Sequence, residues 1–147
     1  MNQVSEPTCC RLCGEPGDLV DSHIVPQFVY DWMKRTGGYI RMAGSPNLRK
    51  QDGPKPKLLC QKCDNELFAV PEDYFSKTIF LPYLIDRANN VSYDKRLPYF
   101  LVSVLWRAWV ANLSDMKAGD AGWDFRQRLK KAETQWRAFL LHGRSPS

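Results

Sequence analysis

Two pairs of cysteines constrain the fold of this 147-residue chain more than any other feature. Cys10 and Cys13 form the first C-x2-C pair, and residues 14–59 separate it from the second, Cys60 and Cys63. Each pair makes a tight turn that directs two thiolates at one ion, and two such turns complete a tetrahedral site. The spacing therefore predicts a structural zinc ion held by four cysteines. Cys9 would give a C-x3-C spacing, so Cys10 is the favoured ligand.

Two other uses of cysteine fit the sequence less well. Disulfides are typical of secreted proteins, and the first residues show neither the basic start nor the apolar segment of a secretory leader. A thioredoxin-like motif needs one pair and leaves the second pair unexplained. A zinc site with four cysteine ligands is closed to water, so it stabilises the fold and performs no chemistry.

Length and composition favour one domain that spans residues 1–147. Hydrophobic residues make up 44% of the chain and charged residues 25%, as in ordinary globular proteins. No apolar run approaches the roughly 20 residues that a bilayer-spanning helix needs. We therefore expect a cytoplasmic protein with no membrane partner.

Basic residues are concentrated between residues 34 and 62. The whole chain has 21 Lys and Arg against 16 Asp and Glu, a net charge of +5, and this segment contains Asp52 as its one acid. A basic surface favours nucleic acid as the partner. The predicted nucleic-acid contacts are Arg41, Arg49, Lys50, Lys55 and Lys57. A solvated basic loop is the alternative interpretation.

The pattern of apolar residues predicts an α+β fold. Residues 18–25 and 39–42 are predicted strands, and the helix between them begins near Pro26 and ends at Gly37 and Gly38. Residues 44–57 are rich in glycine, proline and charge, which predicts a loop. Another helix is predicted to begin at Cys63 or Asp64. The remaining predictions are a helical stretch over 71–80 and an irregular segment over 82–96.

Two predicted helices, 97–113 and 123–141, follow with a turn at 115–122 between them. The first is apolar on two faces, so it is either deeply buried or covered by a partner. It is therefore the predicted surface for a protein partner or for a homo-oligomer. We expect the tryptophans to pack in the core rather than to stack on bases.

His23 is the candidate for chemistry. It lies ten residues after Cys13, and a zinc site that joins the cysteine pairs would bring Asp64 and Glu66 near it. A histidine can remove a proton from water. A divalent cation, Mg²⁺ or Mn²⁺, on the two carboxylates would stabilise the charge that develops on a phosphate. These parts suit phosphodiester hydrolysis, although a lone histidine is more often structural.

Together these residues resemble the zinc-stabilised HNH endonucleases, also called His-Me finger or ββα-metal nucleases. The matching order is Cys10-x2-Cys13, then Ser22-His23-Ile24-Val25-Pro26, then Leu59-Cys60-x2-Cys63-Asp64. The resemblance covers residues 10–70, and its most specific part is the H-I-x-P element between the cysteine pairs. It implies a small ββα-metal core over residues 10–80, with the C-terminal helices of residues 97–142 packed on it.

The resemblance also implies roles for single residues. His23 matches the general base, Asp64 matches a ligand of the catalytic metal, and Asn47 is the candidate for the residue that braces the loop of the histidine. The expected function is a DNA-cutting endonuclease with a structural zinc and a catalytic Mg²⁺ or Mn²⁺. Family association adds a role in phage–host conflict, such as antiviral defence.

One residue departs from the family pattern. Ser22 stands where these nucleases usually have an acid or a second histidine that binds the metal. Asp64 would compensate in part as an anionic ligand, and Glu66 or Glu72 is expected to reach the site from the helix. This departure favours the alternative function, which is a weakened or inactive HNH-like zinc module that binds nucleic acid or a protein partner.

Overall fold

The computed structural model describes residues 8–112 and 123–143, so the predicted turn at 115–122 and most of the N-terminal tail lie outside it. This part of the chain is α+β, as predicted. Its strands are β1 (Leu19–Asp21), β2 (Ile40–Met42), β3 (Ser45–Lys50) and β4 (Lys57–Cys60). Its α-helices are α1 (Gln27–Arg35), α2 (Ala69–Phe75), α3 (Leu81–Asp86), α4 (Arg96–Asn112) and α5 (Trp123–His142).

Strands β1 and β4 form a short antiparallel sheet that joins the two cysteine turns. Leu19 lies opposite Cys60, and Val20 lies opposite the buried Leu59. The predicted strand over 18–25 is too long, because the register breaks after Val20. The backbone N–H of Ser22 then bonds to the carbonyl of Pro56 at 3.2 Å, and the chain turns toward α1.

A second antiparallel pair, β2 and β3, corrects the predicted loop at 44–57. Ile40 lies opposite Lys50, and Arg41 lies opposite Arg49. All six residues of β3 are exposed, so the strand has no buried face and its sequence shows no alternation of apolar and polar residues. Pro46 is tolerated because it lies where the register shifts, between Ser45 opposite Met42 and Arg49 opposite Arg41.

Helix α1 confirms the prediction made from Pro26 and the two glycines. Pro26 caps its start, and Gly37 follows its end with a φ of 75°, a left-handed conformation that glycine adopts without strain. The ring of Phe28 packs against three other rings: Phe75, Phe80 and Phe100. This aromatic cluster fixes α1 against α2 and α4.

The segment after the second cysteine turn is one helical run over residues 61–86. It contains two π-helical stretches, Cys63–Phe68 and Ser76–Phe80, which precede α2 and α3. Pro71 and Pro82 each follow one of these wider turns, where the absent N–H and the bulky ring are easier to accommodate. The run starts earlier than predicted, and it extends to Asp86, into the segment predicted to be irregular.

The core lies between the cysteine turns and the C-terminal helices. Its buried residues are Cys10, Leu12, Leu58, Leu59, Cys63, Phe68, Trp106, Val110 and Leu140. Trp106 is fully buried, as predicted, and its Nε1 donates to Glu133 of α5 at 3.0 Å. Arg137 of α5 donates to the carbonyl of Leu12 at 2.5 Å. Helices α4 and α5 therefore share one core with the cysteine turns.

The described residues cover helix α4 on one side only. Phe100 and Trp106 are buried, whereas Leu101 and Leu105 are about half exposed. Within the described residues, none of the helices combines the length and apolar character that crossing a membrane requires.

Candidate functional site

The four predicted zinc ligands come together. The Sγ atoms of Cys10, Cys13, Cys60 and Cys63 all lie within 4.8 Å of one another, and those of Cys13 and Cys60 are 3.9 Å apart. A Zn–S bond of about 2.3 Å in a tetrahedron separates the sulfurs by about 3.8 Å, so the cluster could bind a metal ion such as zinc. Cys9 is exposed and lies outside the cluster, in agreement with the choice of Cys10.

Backbone contacts hold the two cysteine turns in place. The N–H of Arg11 donates to the carbonyl of Leu58 in β4 at 2.8 Å, and the N–H of Gly14 closes the first turn on Cys10 at 2.8 Å. Burial opposes ionisation of the Cys10 thiol, but backbone N–H groups, led by that of Cys13, outweigh it and lower its pKa to about 7. A thiolate at this position is the form that binds a metal.

His23 lies directly after β1, with its ring held by a carboxylate. The His23 Nε2 and the Asp52 Oδ1 are 3.0 Å apart, and Lys55 forms an ion pair with the same carboxyl group. The Lys55 ammonium, followed by the His23 ring and the Gly53 N–H, lowers the pKa of Asp52 to about 2. Asp52 is therefore charged at neutral pH. When Nε2 donates to it, the lone pair of the imidazole is on Nδ1, the arrangement of a general base.

Asp52 was missed by sequence reasoning. It was counted as the single acid of a basic segment, yet it is the hydrogen-bond partner of the His23 ring, 29 residues away in sequence. Asn47, the predicted bracing residue, lies on the exposed strand β3 beside Pro46 and Leu48. The signal in the sequence was that Asp52 is a single carboxylate among many cations. A carboxylate in such surroundings is expected to form an ion pair in the folded protein.

Asp64 and Glu72 lie on the helical run that follows Cys63. Asp64 is partly buried in the first π-helical stretch, a conformation that is frequent at functional sites. Burial raises the pKa of Glu72 and the charge of Asp64 adds to this, whereas Arg107 and His23 oppose it. Glu72 is thus within electrostatic range of both Asp64 and His23.

Glu66, the other predicted ligand of a catalytic cation, lies elsewhere. It is exposed and lines a cavity together with Leu67, Tyr99 and Leu140, at the contact between the helical run and the C-terminal helices. Of the two glutamates that the sequence offers beside His23, Glu72 is the one brought near it, because Arg107 contacts both Glu72 and the His23 backbone.

Arg107 of α4 connects this site to the C-terminal helices. Only 2% of the residue is exposed, and its guanidinium donates to the backbone carbonyl of His23 at 2.9 Å. It also pairs with the Glu72 carboxylate at 2.6 Å and lies over the Phe68 ring at 5.0 Å. Arg107 thereby ties the backbone of His23 to the helical run of Asp64. In the sequence, the signal for this role was a charged residue, Arg107, between the apolar residues of a predicted helix.

Ser22 is buried and does not face the site. It is 1% exposed, and its Oγ lies 3.4 Å from the Val20 carbonyl. The hydroxyl therefore points into the protein, and the residue that precedes His23 offers no oxygen at the surface.

The five predicted nucleic-acid contacts divide into two groups. Arg41, Arg49 and Lys50 lie on the β2–β3 hairpin. Lys55 pairs with Asp52, the partner of the His23 ring, and Lys57 lies opposite Asp21, two residues before His23. Cations thus extend from the hairpin to the histidine.

Comparisons of this chain with models of known protein families, with curated proteins and with solved structures found no match.

Proposed function

We propose that this protein is a metal-dependent endonuclease of the HNH type that hydrolyses phosphodiester bonds, with DNA as the favoured substrate. The observation that supports this most is the hydrogen bond between the His23 ring and the charged Asp52. Arg107 joins the backbone of the same histidine to Glu72 of the helical run. The four cysteines support it indirectly, because a metal ion on them would fix β1, which precedes His23, against β4, which leads to Asp64.

In this proposal His23 is the general base. Asp52 orients the ring, and the Nδ1 lone pair takes the proton of the attacking water. Arg107 is a positioning residue, because it contacts the His23 backbone and not the ring. Its contact keeps the histidine from moving away from the helical run when the substrate binds.

Asp64 is the proposed ligand of the catalytic Mg²⁺ or Mn²⁺. Mg²⁺ commonly binds through one or two carboxylates, several waters and the phosphates of its substrate, so one strong protein ligand suffices for such a site. Bound there, the cation would stabilise negative charge on the phosphate and on the leaving oxygen. Glu72 supports the site by its charge, whereas the exposed Glu66 lies too far toward the C-terminal helices to be the preferred second ligand.

The first test compares His23→Ala with the matched variant His142→Ala. We expect His23→Ala to slow single-turnover cleavage of plasmid DNA by about 10²–10⁴-fold in Mg²⁺ or Mn²⁺, the range that general-base catalysis supplies. His142 lies at the end of α5, so its variant should cut at the parent rate. Equal cutting by the two variants would remove His23 from the mechanism, provided that both retain their bound zinc.

The second test changes the proposed ligand. Asp64→Asn should shift the Mg²⁺ titration of cleavage to higher metal concentration, because a neutral amide binds the cation less strongly than a carboxylate. Glu66→Gln is the matched control on the same helical stretch. If the Mg²⁺ titration shifted in Glu66→Gln and was unchanged in Asp64→Asn, Glu66 and not Asp64 would be the metal ligand.

Two observations favour a second candidate function, a non-catalytic module that binds nucleic acid or a protein. The Ser22 hydroxyl is buried, and the Glu72 carboxylate is already paired with Arg107, which leaves few anionic ligands for a catalytic cation. The half-exposed Leu101 and Leu105 of α4 would be the contact for a protein partner or a second copy. Binding of DNA without cutting in Mg²⁺, Mn²⁺, Co²⁺ and Ni²⁺ would select this function. A role in phage–host conflict remains a prediction of the resemblance.

A further inference from the structure

The β2–β3 hairpin, residues 39–50, is a strongly basic surface that the proposed chemistry does not use; we call it the basic hairpin. The stretch 32–51 contains five Lys or Arg residues and no Asp or Glu. Every residue of β3 is exposed, so neither face of this strand packs on the described protein. In β2, Ile40 and Met42 are partly buried on one face, whereas Arg41 is exposed on the other, so the face that carries Arg41 is available to a partner.

Two like charges of the basic hairpin repel each other and lower its stability. Arg41 and Arg49 lie directly opposite each other, and like charges at such a pair are destabilising. The ring of Tyr39 lies beneath both guanidiniums, at 5.4 Å from Arg41 and 4.6 Å from Arg49. Cation–π contacts offset part of the repulsion, as does the hydrogen bond that the Arg41 guanidinium donates to the Pro46 carbonyl at 2.8 Å. With no acid in the segment, an anionic partner would neutralise the remainder.

We propose that the basic hairpin enters the major groove of B-form duplex DNA, where Arg41 and Arg49 contact phosphates along the groove. Two paired strands are about 4.8 Å apart, and a two-stranded ribbon fits a major groove about 12 Å wide. The major groove of A-form RNA is too narrow for such an element. The shape of the hairpin therefore selects duplex DNA over duplex RNA.

The hairpin also sets the distance from the contacted DNA to His23. Strand β3 ends at Lys50, and Asp52, which holds the His23 ring, follows two residues later. Arg49 precedes Asp52 by three residues, and three residues of extended chain reach at most about 10 Å. This corresponds to about three base pairs at 3.4 Å each. If the proposed nuclease function holds, the cut lies within a few base pairs of the DNA contacted by Arg49.

The experiment measures DNA binding separately from cutting. The background is His23→Ala, so that the duplex stays intact, and the variant pair is Arg41→Gln with Arg49→Gln. Loss of two phosphate contacts should lower the slope of log K against log salt concentration by about 2. The matched control is Arg128→Gln with Lys131→Gln, which removes the same charge from exposed positions of α5. An unchanged slope, or equal effects of the two pairs, would overturn the proposal.

Groove selectivity is tested with modified duplexes. A DNA duplex whose cytosines carry a bulky glucosyl group in the major groove should bind much more weakly than the plain duplex. An RNA duplex of the same sequence should bind weakly too, whereas a drug that fills the minor groove should not compete. Equal binding of the glucosylated duplex, or of the RNA, would show that the hairpin does not occupy the major groove.

A second variant guards against misfolding of the hairpin. Arg41→Lys with Arg49→Lys retains both charges, so it should retain the parent salt slope, and zinc content and circular dichroism report the fold of each protein. If the slope of log K against log salt concentration also fell by about 2 in the lysine pair, the arginines would be needed for the fold of the hairpin and not for their charge. The proposal would then fail. Binding through the hairpin without cutting by the parent protein would keep this inference and reject the nuclease.

Discussion

At the scale of single residues, Asp52 and Arg107 organise the surroundings of His23. The Asp52 carboxylate lies between the His23 ring and the Lys55 ammonium. Its pKa of about 2 is below the ordinary 3.8, so the folded chain binds fewer protons than the unfolded chain between these values. Its contribution to stability is present above about pH 4 and is lost as the pH falls through about 2.

Replacement of Lys55 tests this arrangement. In Lys55→Gln we expect the pKa of Asp52 to rise from about 2 toward 3.8, because the ammonium is its strongest stabilising partner. The matched variant Lys57→Gln should leave it near 2. The carboxyl carbon of Asp52 is followed by NMR from pH 7 downward, for as long as the protein retains its zinc. Its resonance should begin to move at a higher pH in Lys55→Gln than in Lys57→Gln. Identical curves for the two variants would contradict the ion pair.

The buried pair of Arg107 and Glu72 gives a stability prediction. Arg107→Met leaves a mostly buried carboxylate without its cation, which costs about 3–5 kcal/mol of unfolding free energy in comparable pairs. Adding Glu72→Gln should recover part of this loss, since the uncompensated charge is then removed. Urea denaturation gives the values. A loss no larger than that of the exposed Arg128→Met would show that the buried pair contributes nothing.

At the scale of elements, α1 supports the loop that holds Asp52. The Tyr30 hydroxyl lies against the backbone of Gly53, so closely that a Cβ at this glycine would overlap the hydroxyl and the ring. Tyr30 is buried and its ring also packs near that of His23, with centroids 5.6 Å apart. Helix α1, the loop of Asp52 and the His23 ring therefore pack together as one unit through Tyr30.

Gly53→Ala should disturb this unit. The added methyl group forces a buried Tyr30 or the loop to shift, at a cost of about 1–3 kcal/mol for overpacking. The ring resonances of His23 should move in the same variant. Gly44→Ala is the control, because its Cβ meets open space, and its effect should stay within about 0.5 kcal/mol. Equal stabilities of the two variants would refute the close contact.

The elements also show why prediction from sequence was uneven. Helix α1 was predicted within a residue or two, since proline and glycine act locally on the backbone. Strand β3 was predicted as a loop, because an exposed ribbon with Pro46 lacks the alternation that buried faces impose. The extension of the helical run to Asp86 was missed because π-helical turns accommodate its prolines.

At the scale of the whole molecule, the cysteine cluster is part of the main core. Cys10 and Cys63 are buried among Leu12, Phe68 and Trp106, which come from both halves of the chain. The geometry fits a structural metal, and such sites supply about 10–16 kcal/mol in zinc-finger peptides. A domain's total stability is about 5–15 kcal/mol, so its folding should depend on the ion.

Metal removal should therefore unfold the protein. We expect close to one zinc per chain by atomic absorption, and loss of helical circular dichroism when a strong chelator removes it. Cys60→Ser should lower zinc content and stability together, whereas Cys9→Ser, adjacent to the cluster and exposed, should retain both. A fully folded protein without metal would contradict the structural role of the cluster.

The sequence by itself determined which four cysteines form the cluster that could bind a metal, the α+β class and the position of His23 between the two cysteine pairs. These features depend on residue type and short spacing, which a chain carries regardless of its packing. Only the tertiary structure decided that Asp52 holds the His23 ring, that Arg107 and Glu72 lie beside it and that Glu66 points elsewhere. Those contacts join residues 29 to 84 positions apart, and no local pattern encodes which distant charge a folded chain brings to a given side chain.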